Sequence, residues 1–244
     1  MTWWQALLLI GGGTVAGIIN CLAGGGSMLT VPLLVVAGVP GNVANGSNRV
    51  GILTSNAASV SEFRRLGVGG FQHALPVLAP AAVGAAVGLF GISQLTNDEF
   101  ERLFGLLMIP LIILAIRRPP VRTDGQAWSR LTVTIVFFCV GIYGGAIQAG
   151  VGLVMLAALS RAGFDLVTAN SVKVMVTLVV TCIALPVFIL QGKVDWVPAI
   201  VLAIGLTIGG WIGPRLSIKG GEKAIRALMV VCAIALAIRL LFFS

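Results

Sequence analysis

Two basic residues, Arg49 and Lys173, lie well inside apolar stretches of the chain, and no acidic residue lies within one helical turn of either. If those stretches cross a membrane, a charge near the bilayer centre costs at least about 2.5–3.5 kcal/mol on insertion scales. Such a cation favours an anionic partner. It can instead reach the membrane surface or bind carbonyl groups at a helix end, and the sequence leaves these alternatives open.

Amide and hydroxyl side chains lie close to both cations in the sequence. They are Asn45, Ser47 and Asn48 beside Arg49, and Asn170 and Ser171 beside Lys173. Their N–H and O–H groups could donate to the oxygens of an anion. The asparagines could equally cap a helix or join two helices.

Two short glycine-rich segments interrupt the apolar runs. The first contains Gly24, Gly25, Gly26 and Ser27, and the second contains Gln148 and Gly150. Because glycine has no Cβ, backbone N–H groups there can approach a ligand. A helix that begins near Ser27 would also present its positive end to an anion. The alternative is that the glycines permit close helix packing. We predict that both segments, with the cations and amides above, bind one small anion.

The surrounding chain is too apolar for a soluble protein. Of its 244 residues, 58% are hydrophobic and 10% are charged, and its mean hydropathy is +1.05. A soluble domain carries roughly 25% charged residues. Long apolar runs such as 131–159 differ from the short alternating strands of a membrane β-barrel. These features predict an all-α polytopic protein in a lipid bilayer.

The two halves of the chain match at a constant offset of 125 residues. This offset pairs Gly25 with Gly150, Asn45 with Asn170, and Gly67 with Gly192. We therefore predict two membrane repeats, 1–122 and 123–244. Each would contain a short helical hairpin with glycine at its tip and then three transmembrane helices. The expected segments are 5–22, 25–37, 43–63, 71–93 and 100–117 in the first repeat, and 130–147, 151–162, 167–190, 195–214 and 223–243 in the second.

Basic residues cluster in three loops. They are Arg64 and Arg65; Arg117, Arg118, Arg122 and Arg130; and Arg215, Lys219, Lys223 and Arg226. This clustering explains the net charge of +8 as a cytoplasmic loop bias rather than as nucleic-acid binding. The equivalent loops 64–70 and 191–196 then fall on opposite sides, so the repeats would be inverted. Inverted repeats occur in secondary transporters, whose substrate site lies near the membrane midplane.

Several further expectations concern chemistry and assembly. A single histidine cannot supply a metal cluster, and the Gly-rich segment lacks the spacing of a nucleophile elbow. We therefore expect no enzymatic activity, no cofactor and no metal. A coupling ion (H⁺ or Na⁺) is left open, since backbone carbonyls at the tips could hold Na⁺. A homodimer is also left open, because the small-residue pairs Gly84/Gly88 and Gly209/Gly213 suit either a dimer interface or contacts within one subunit. Three carboxylates at segment ends are expected to be solvated: Glu62, Asp165 and Asp195.

At these motifs the chain resembles the TauE/SafE (TSUP) family of sulfite and organosulfonate membrane transporters. The first motif is AGIINCLAGGGSMLTVPLL at 16–34, and the second is ANGSNR at 44–49. The second half contains the related AGVG at 149–152 and ANSVK at 169–173. The resemblance covers essentially the whole chain. It implies a multi-pass protein of the bacterial cytoplasmic membrane that moves small sulfur-containing anions, such as sulfite, thiosulfate or sulfoacetate, and it points to the residues named above.

The sequence thus favours a secondary transporter for a small sulfur-containing anion that works by alternating access. An anion channel with the same site is one alternative. A membrane receptor or scaffold that moves no substrate is another.

Overall fold

The computed structural model describes residues 1–92, 96–116 and 128–219. Within these ranges the regular elements are nine α-helices. They are α1 (Trp3–Ala23), α2 (Ser27–Val36), α3 (Gly41–Arg65), α4 (Phe71–Ile92), α5 (Asn97–Ile116), α6 (Arg130–Ala146), α7 (Val151–Arg161), α8 (Leu166–Leu190) and α9 (Trp196–Ile218). The predicted all-α membrane fold is confirmed. The expected segment 223–243 and the basic residues Arg117, Arg118, Arg122, Lys223 and Arg226 lie outside the described residues.

Three of the described helices are long and apolar enough to cross a bilayer. They are α1, α8 and α9. Helices α2 and α7 have only 10 and 11 residues. At 1.5 Å per residue they reach about 15–17 Å, which is well short of the hydrocarbon thickness of about 30 Å. Each short helix follows a longer one across a glycine-containing turn, so α1–α2 and α6–α7 form two helical hairpins.

The helix bounds recur at the offset of 125 residues. Helix α3 spans 41–65 and α8 spans 166–190, while α2 ends at Val36 and α7 ends at Arg161. These bounds agree with the predicted duplication, although the inverted relation of the halves stays a prediction.

The long helices α3 and α8 pack against each other in opposite directions. Near the start of α3, the Arg49 guanidinium lies 4.5 Å from the ring centroid of Phe188 near the end of α8. At the other end, Phe63 of α3 shares a buried cluster with Val174 of α8. The two equivalent helices are therefore antiparallel, which is the arrangement that an inverted repeat requires.

Close helix packing flanks this central pair, with α1 on α9 and α6 on α4. A Cβ placed at any of four glycines would lie 2.0–2.4 Å from an atom of the neighbouring helix: Gly84, Gly88, Gly209 and Gly213. Only residues without a side chain permit this approach. Of the two roles that the sequence left open for these pairs, the structure thus shows contacts within one subunit.

An ion pair joins the ends of α3 and α9. Arg215 Nε donates to Glu62 Oε1 at 2.8 Å, and only 3% of the Glu62 side chain is exposed. The expectation that Glu62 is simply solvated is therefore wrong, because the two helices run parallel and bring Arg215 beside it. At the opposite end of α3, Ser47 Oγ accepts a bond from the Asp195 N–H at 2.8 Å. The loops that follow α3 and α8 thus lie at opposite ends of α3.

Candidate functional site

The two hairpin tips meet backbone to backbone. Gly24 has a left-handed φ of +78°, and a Cβ there would lie 2.2 Å from the carbonyl carbon of Gly152. In the reverse direction, a Cβ at Gly152 would lie 2.4 Å from Gly24 O. Ser27 Oγ also donates to Gln148 O at 3.4 Å, which links the start of α2 to the other tip. The structure therefore brings the two predicted glycine segments together.

The remaining tip residues shape the two turns. Helix α2 begins at Ser27, as predicted, and Gly25 O accepts a bond from the Met28 N–H at 3.0 Å. Gly26 lies against α1, since a Cβ there would be 2.3 Å from Ala16 O. Gly150 is the N-cap of α7 and has a left-handed φ of +68°.

Arg49 binds the C-terminal end of α6. Its Nη1 donates to Gly144 O at 3.3 Å, and its Nη2 donates to Gly145 O at 2.6 Å and Ala146 O at 3.1 Å. These carbonyls belong to the last turn of the helix, where no N–H of the same helix follows to pair them. The last turn also carries partial negative charge, which the buried guanidinium offsets.

Lys173 has the corresponding contact in the other half. Its Nζ donates to Asn20 O and Cys21 O, both at 2.7 Å, and to Asn170 Oδ1 at 2.8 Å. Asn20 and Cys21 belong to the last turn of α1. Each half of the chain therefore supplies the cation that caps the first hairpin helix of the other half. Of the roles that the sequence left open, helix-end binding is present for both cations, while anion contact stays a prediction.

The two equivalent asparagines join helices in the same reciprocal way. Asn45 Nδ2 donates to Ala146 O at 3.1 Å. Asn170 Nδ2 donates to Leu22 O at 3.3 Å and to Ser217 Oγ at 3.2 Å. These side chains position the hairpin ends from α3 and α8.

Other predicted site residues lie on different sides of the tips. Asn48 Oδ1 accepts a bond from Thr30 Oγ1 of α2 at 2.6 Å, so Asn48 faces the first hairpin. Ser47 instead faces the loop before α9. Ser171 is buried beside Gly70, in the loop that precedes α4. The two serines are therefore directed away from the tips, towards opposite ends of the bundle.

Several buried polar atoms around the tips have no hydrogen-bond partner among the described residues. They are Asn45 Oδ1, Asn48 Nδ2, Arg49 Nε and Gln148 Oε1. Buried polar atoms are almost always paired in folded proteins. No carboxylate in the described part of the chain forms an ion pair with Arg49. Two of these atoms, Asn48 Nδ2 and Arg49 Nε, are hydrogen-bond donors, and the two amide oxygens are acceptors.

Three contacting residues were missed by the sequence reasoning. Thr181 Oγ1 accepts a bond from Gln148 Nε2 at 2.9 Å, Thr30 binds Asn48, and Phe188 lies over Arg49. For Thr181 a sequence pattern existed. The offset of 125 aligns it with Asn56, so both repeats place a polar residue at this position.

The bundle of apolar helices holds the hairpins α1–α2 and α6–α7 tip to tip, and a buried cation lies at the end of the first helix of each hairpin. These features define a multi-pass membrane protein with polar groups at its centre. Comparison with known proteins identifies the family. Residues 9–240 match the model of the sulfite exporter TauE/SafE family. The chain belongs to this family, which confirms the resemblance seen in its motifs.

Relatives align over nearly the full chain. A probable membrane transporter protein (ORF9) of Sinorhizobium sp. is 32% identical over 93% of this chain and 88% of its own length. The probable membrane transporter protein YfcA of Escherichia coli K12 is 26% identical over 94% of this chain and 87% of its own length. A probable membrane transporter protein of Haemophilus influenzae is 25% identical over 94% and 92%, respectively. No solved structure matches the chain.

Proposed function

We propose that this protein is a secondary transporter that moves a small sulfur-containing anion across the cytoplasmic membrane by alternating access. The substrate would be sulfite, thiosulfate or an organosulfonate such as sulfoacetate. The family and its members named as probable membrane transporters support the transport class. The observation that best supports a substrate site is the contact between the two hairpin tips, with unpaired hydrogen-bond donors beside it.

Those donors lie between the two hairpins. Asn48 is bonded to α2 of the first hairpin, and Arg49 is bonded to the end of α6 in the second. Asn48 Nδ2 and Arg49 Nε have no partner among the described residues, so both N–H groups are available to the oxygens of a sulfite or sulfonate group. An anion held there would contact both repeats. Rocking of one repeat against the other would then expose it to each side in turn.

Counterflow in proteoliposomes tests the proposal. Vesicles that contain the purified protein are preloaded with unlabelled sulfite, thiosulfate or sulfoacetate, and uptake of the labelled anion is measured against protein-free vesicles. We expect transient accumulation that saturates with substrate concentration. Flux that never saturates and shows no counterflow would instead indicate a channel. Tight binding without flux would indicate a receptor, and either result would overturn the proposal.

A further inference from the structure

Asn56 on α3 has an unusual environment for a buried amide. Only 1% of the residue is exposed, and both its Nδ2 and its Oδ1 lack a hydrogen-bond partner among the described residues. A buried amide with neither atom paired destabilises a folded protein. A packing role therefore does not explain Asn56, because leucine has a similar volume and would fill the same space without that penalty.

The neighbours of Asn56 on α3 share buried clusters with the residues that precede the first hairpin tip. Ile52 lies four residues before it and Phe63 seven residues after it, so all three share one face of α3. Ile52 belongs to the buried cluster that contains Ala23, and Phe63 shares a cluster with Leu22. Ala23 and Leu22 end α1, immediately before Gly24. The face that carries Asn56 thus belongs to the same buried clusters as the last residues of α1.

The other half of the chain has a counterpart with a visible partner. The offset of 125 residues aligns Asn56 with Thr181 of α8 and aligns Ala23 with Gln148. Thr181 accepts its hydrogen bond from Gln148, which lies in the second tip. Each long helix therefore places one polar side chain at this level, but the first tip offers only an alanine where the second offers an amide. Asn56 lacks the partner that Thr181 has.

We infer that Asn56 is a substrate-contacting residue whose Nδ2 donates to an oxygen of the transported anion at the first tip. This inference rests on the proposed function. The Asn56 Oδ1 would then accept a hydrogen bond from a water molecule or from an O–H or N–H group of the same substrate. Asn48 and Arg49 lie between the two hairpins, about two turns earlier on α3, so the same helix would supply the anion with donors at two positions along it.

The test is Asn56→Leu, measured by thermal melting in detergent with and without sulfite and by counterflow. Loss of a hydrogen bond to a charged group weakens binding about 10- to 100-fold. We expect the variant to lose the sulfite-dependent rise in melting temperature and the counterflow. Its melting temperature without substrate should equal or exceed that of the wild type, because an unpaired buried amide has been removed.

Ser59→Ala is the matched control. Ser59 lies one turn away on α3 and is also buried, but its Oγ already donates to Gly210 O at 2.8 Å. This variant should lower the melting temperature and leave the affinity for sulfite within about twofold of the wild type. The opposite behaviour of the two variants separates a ligand contact from a structural bond.

The outcomes are distinct. Wild-type affinity in folded Asn56→Leu overturns the inference and leaves the transport proposal intact. If the melting temperature of Asn56→Leu falls strongly, its amide has a structural role and Asn56→Ala becomes the deciding variant. The inference is overturned if Asn56→Ala folds and keeps the wild-type affinity for sulfite, or if neither variant folds. If the wild-type protein neither binds nor moves any anion of the panel, the proposed function itself is wrong.

Discussion

Arg49 and Lys173 each bind the carbonyl groups that end a helix of the other half. The last four carbonyls of an α-helix have no N–H partner within the helix, and the helix dipole adds negative charge at that end. A buried cation in this place pairs the free carbonyl groups and also offsets the negative charge. Under the proposed function, the same two positive charges would attract an anion to the membrane-embedded site.

We expect Arg49→Gln and Lys173→Gln to lower the free energy of unfolding by about 1.5–3 kcal/mol each, because hydrogen bonds from a charged donor are lost. Counterflow of sulfite should also fall. Thermal melting and proteoliposome uptake measure the two effects. Arg161→Gln is the control, since Arg161 is exposed at the end of α7. Folded, inserted glutamine variants that move substrate at the wild-type rate would contradict a role of these cations in binding.

The tip contact makes a second prediction about single residues. Gly24→Ala should prevent the hairpins from meeting, because its Cβ would overlap Gly152 and its φ of +78° disfavours a side chain. Gly11→Ala in α1 is the control, since a Cβ there meets nothing within 4 Å. We expect Gly11→Ala to keep or raise the melting temperature, because alanine stabilises a helix by up to about 1 kcal/mol relative to glycine. Size-exclusion chromatography should show aggregated or unfolded Gly24→Ala. A normal, monodisperse variant would disprove the contact.

Helices α3 and α8 are the elements that position the site. Helix α8 begins at the N-cap Asp165, whose Oδ1 accepts bonds from the Val167 and Thr168 N–H groups at 3.0 and 3.1 Å. Burial raises the pKa of this carboxyl, but the hydrogen bonds from Thr168 and Val167 outweigh it and lower the pKa overall. The ionised cap is therefore favoured in the folded state.

Asp165→Ala should cost about 1 kcal/mol at neutral pH. Because the folded pKa is lowered, the stabilisation is present above the unfolded pKa of about 3.9 and is lost as the pH falls through the folded value. The gap in melting temperature between the wild type and Asp165→Ala should thus be constant from about pH 7 to 5 and narrow below about pH 4. A gap that widens in acid would contradict the assignment. Asp165→Asn keeps a cap without this titration and serves as the control.

At the scale of the whole molecule, the described basic clusters lie at one end of the bundle. Glu62 and Arg215 bring the ends of α3 and α9 together, and α6 starts beside the start of α4, since Ala81 packs on Gly141 and Ala85 on Gly145. Arg64, Arg65, Arg130 and Arg215 therefore share one side. The positive-inside rule assigns this side to the cytoplasm.

Single cysteines in a cysteine-free background test the orientation. Gly69→Cys and Gln191→Cys place thiols at exposed positions in loops at opposite ends of α3. A membrane-impermeant maleimide added to intact cells should label Gln191→Cys and leave Gly69→Cys unlabelled until the membrane is opened. Labelling of both from outside, or the reverse pattern, would contradict the predicted topology.

The sequence alone was sufficient to predict the class, the hairpins and the family. Strongly apolar runs require a bilayer, and the runs around 24–26 and 148–152 are broken by glycines at short spacing. These are local properties that any folded form of the chain must accommodate. The sequence also identified Arg49 and Lys173 as unusual, because a buried cation without a nearby carboxylate is detectable from neighbours along the chain.

Only the tertiary structure decided which groups those residues contact. Arg49 contacts carbonyls about a hundred residues away in the other half, and Glu62 is buried and paired with Arg215 rather than solvated. Asn56 was not among the predicted site residues, because only the packing shows that its amide is buried without a partner. Such contacts depend on how antiparallel α3 and α8 bring the two hairpins together. Periodicity and composition describe one segment at a time, so they could not determine that long-range arrangement.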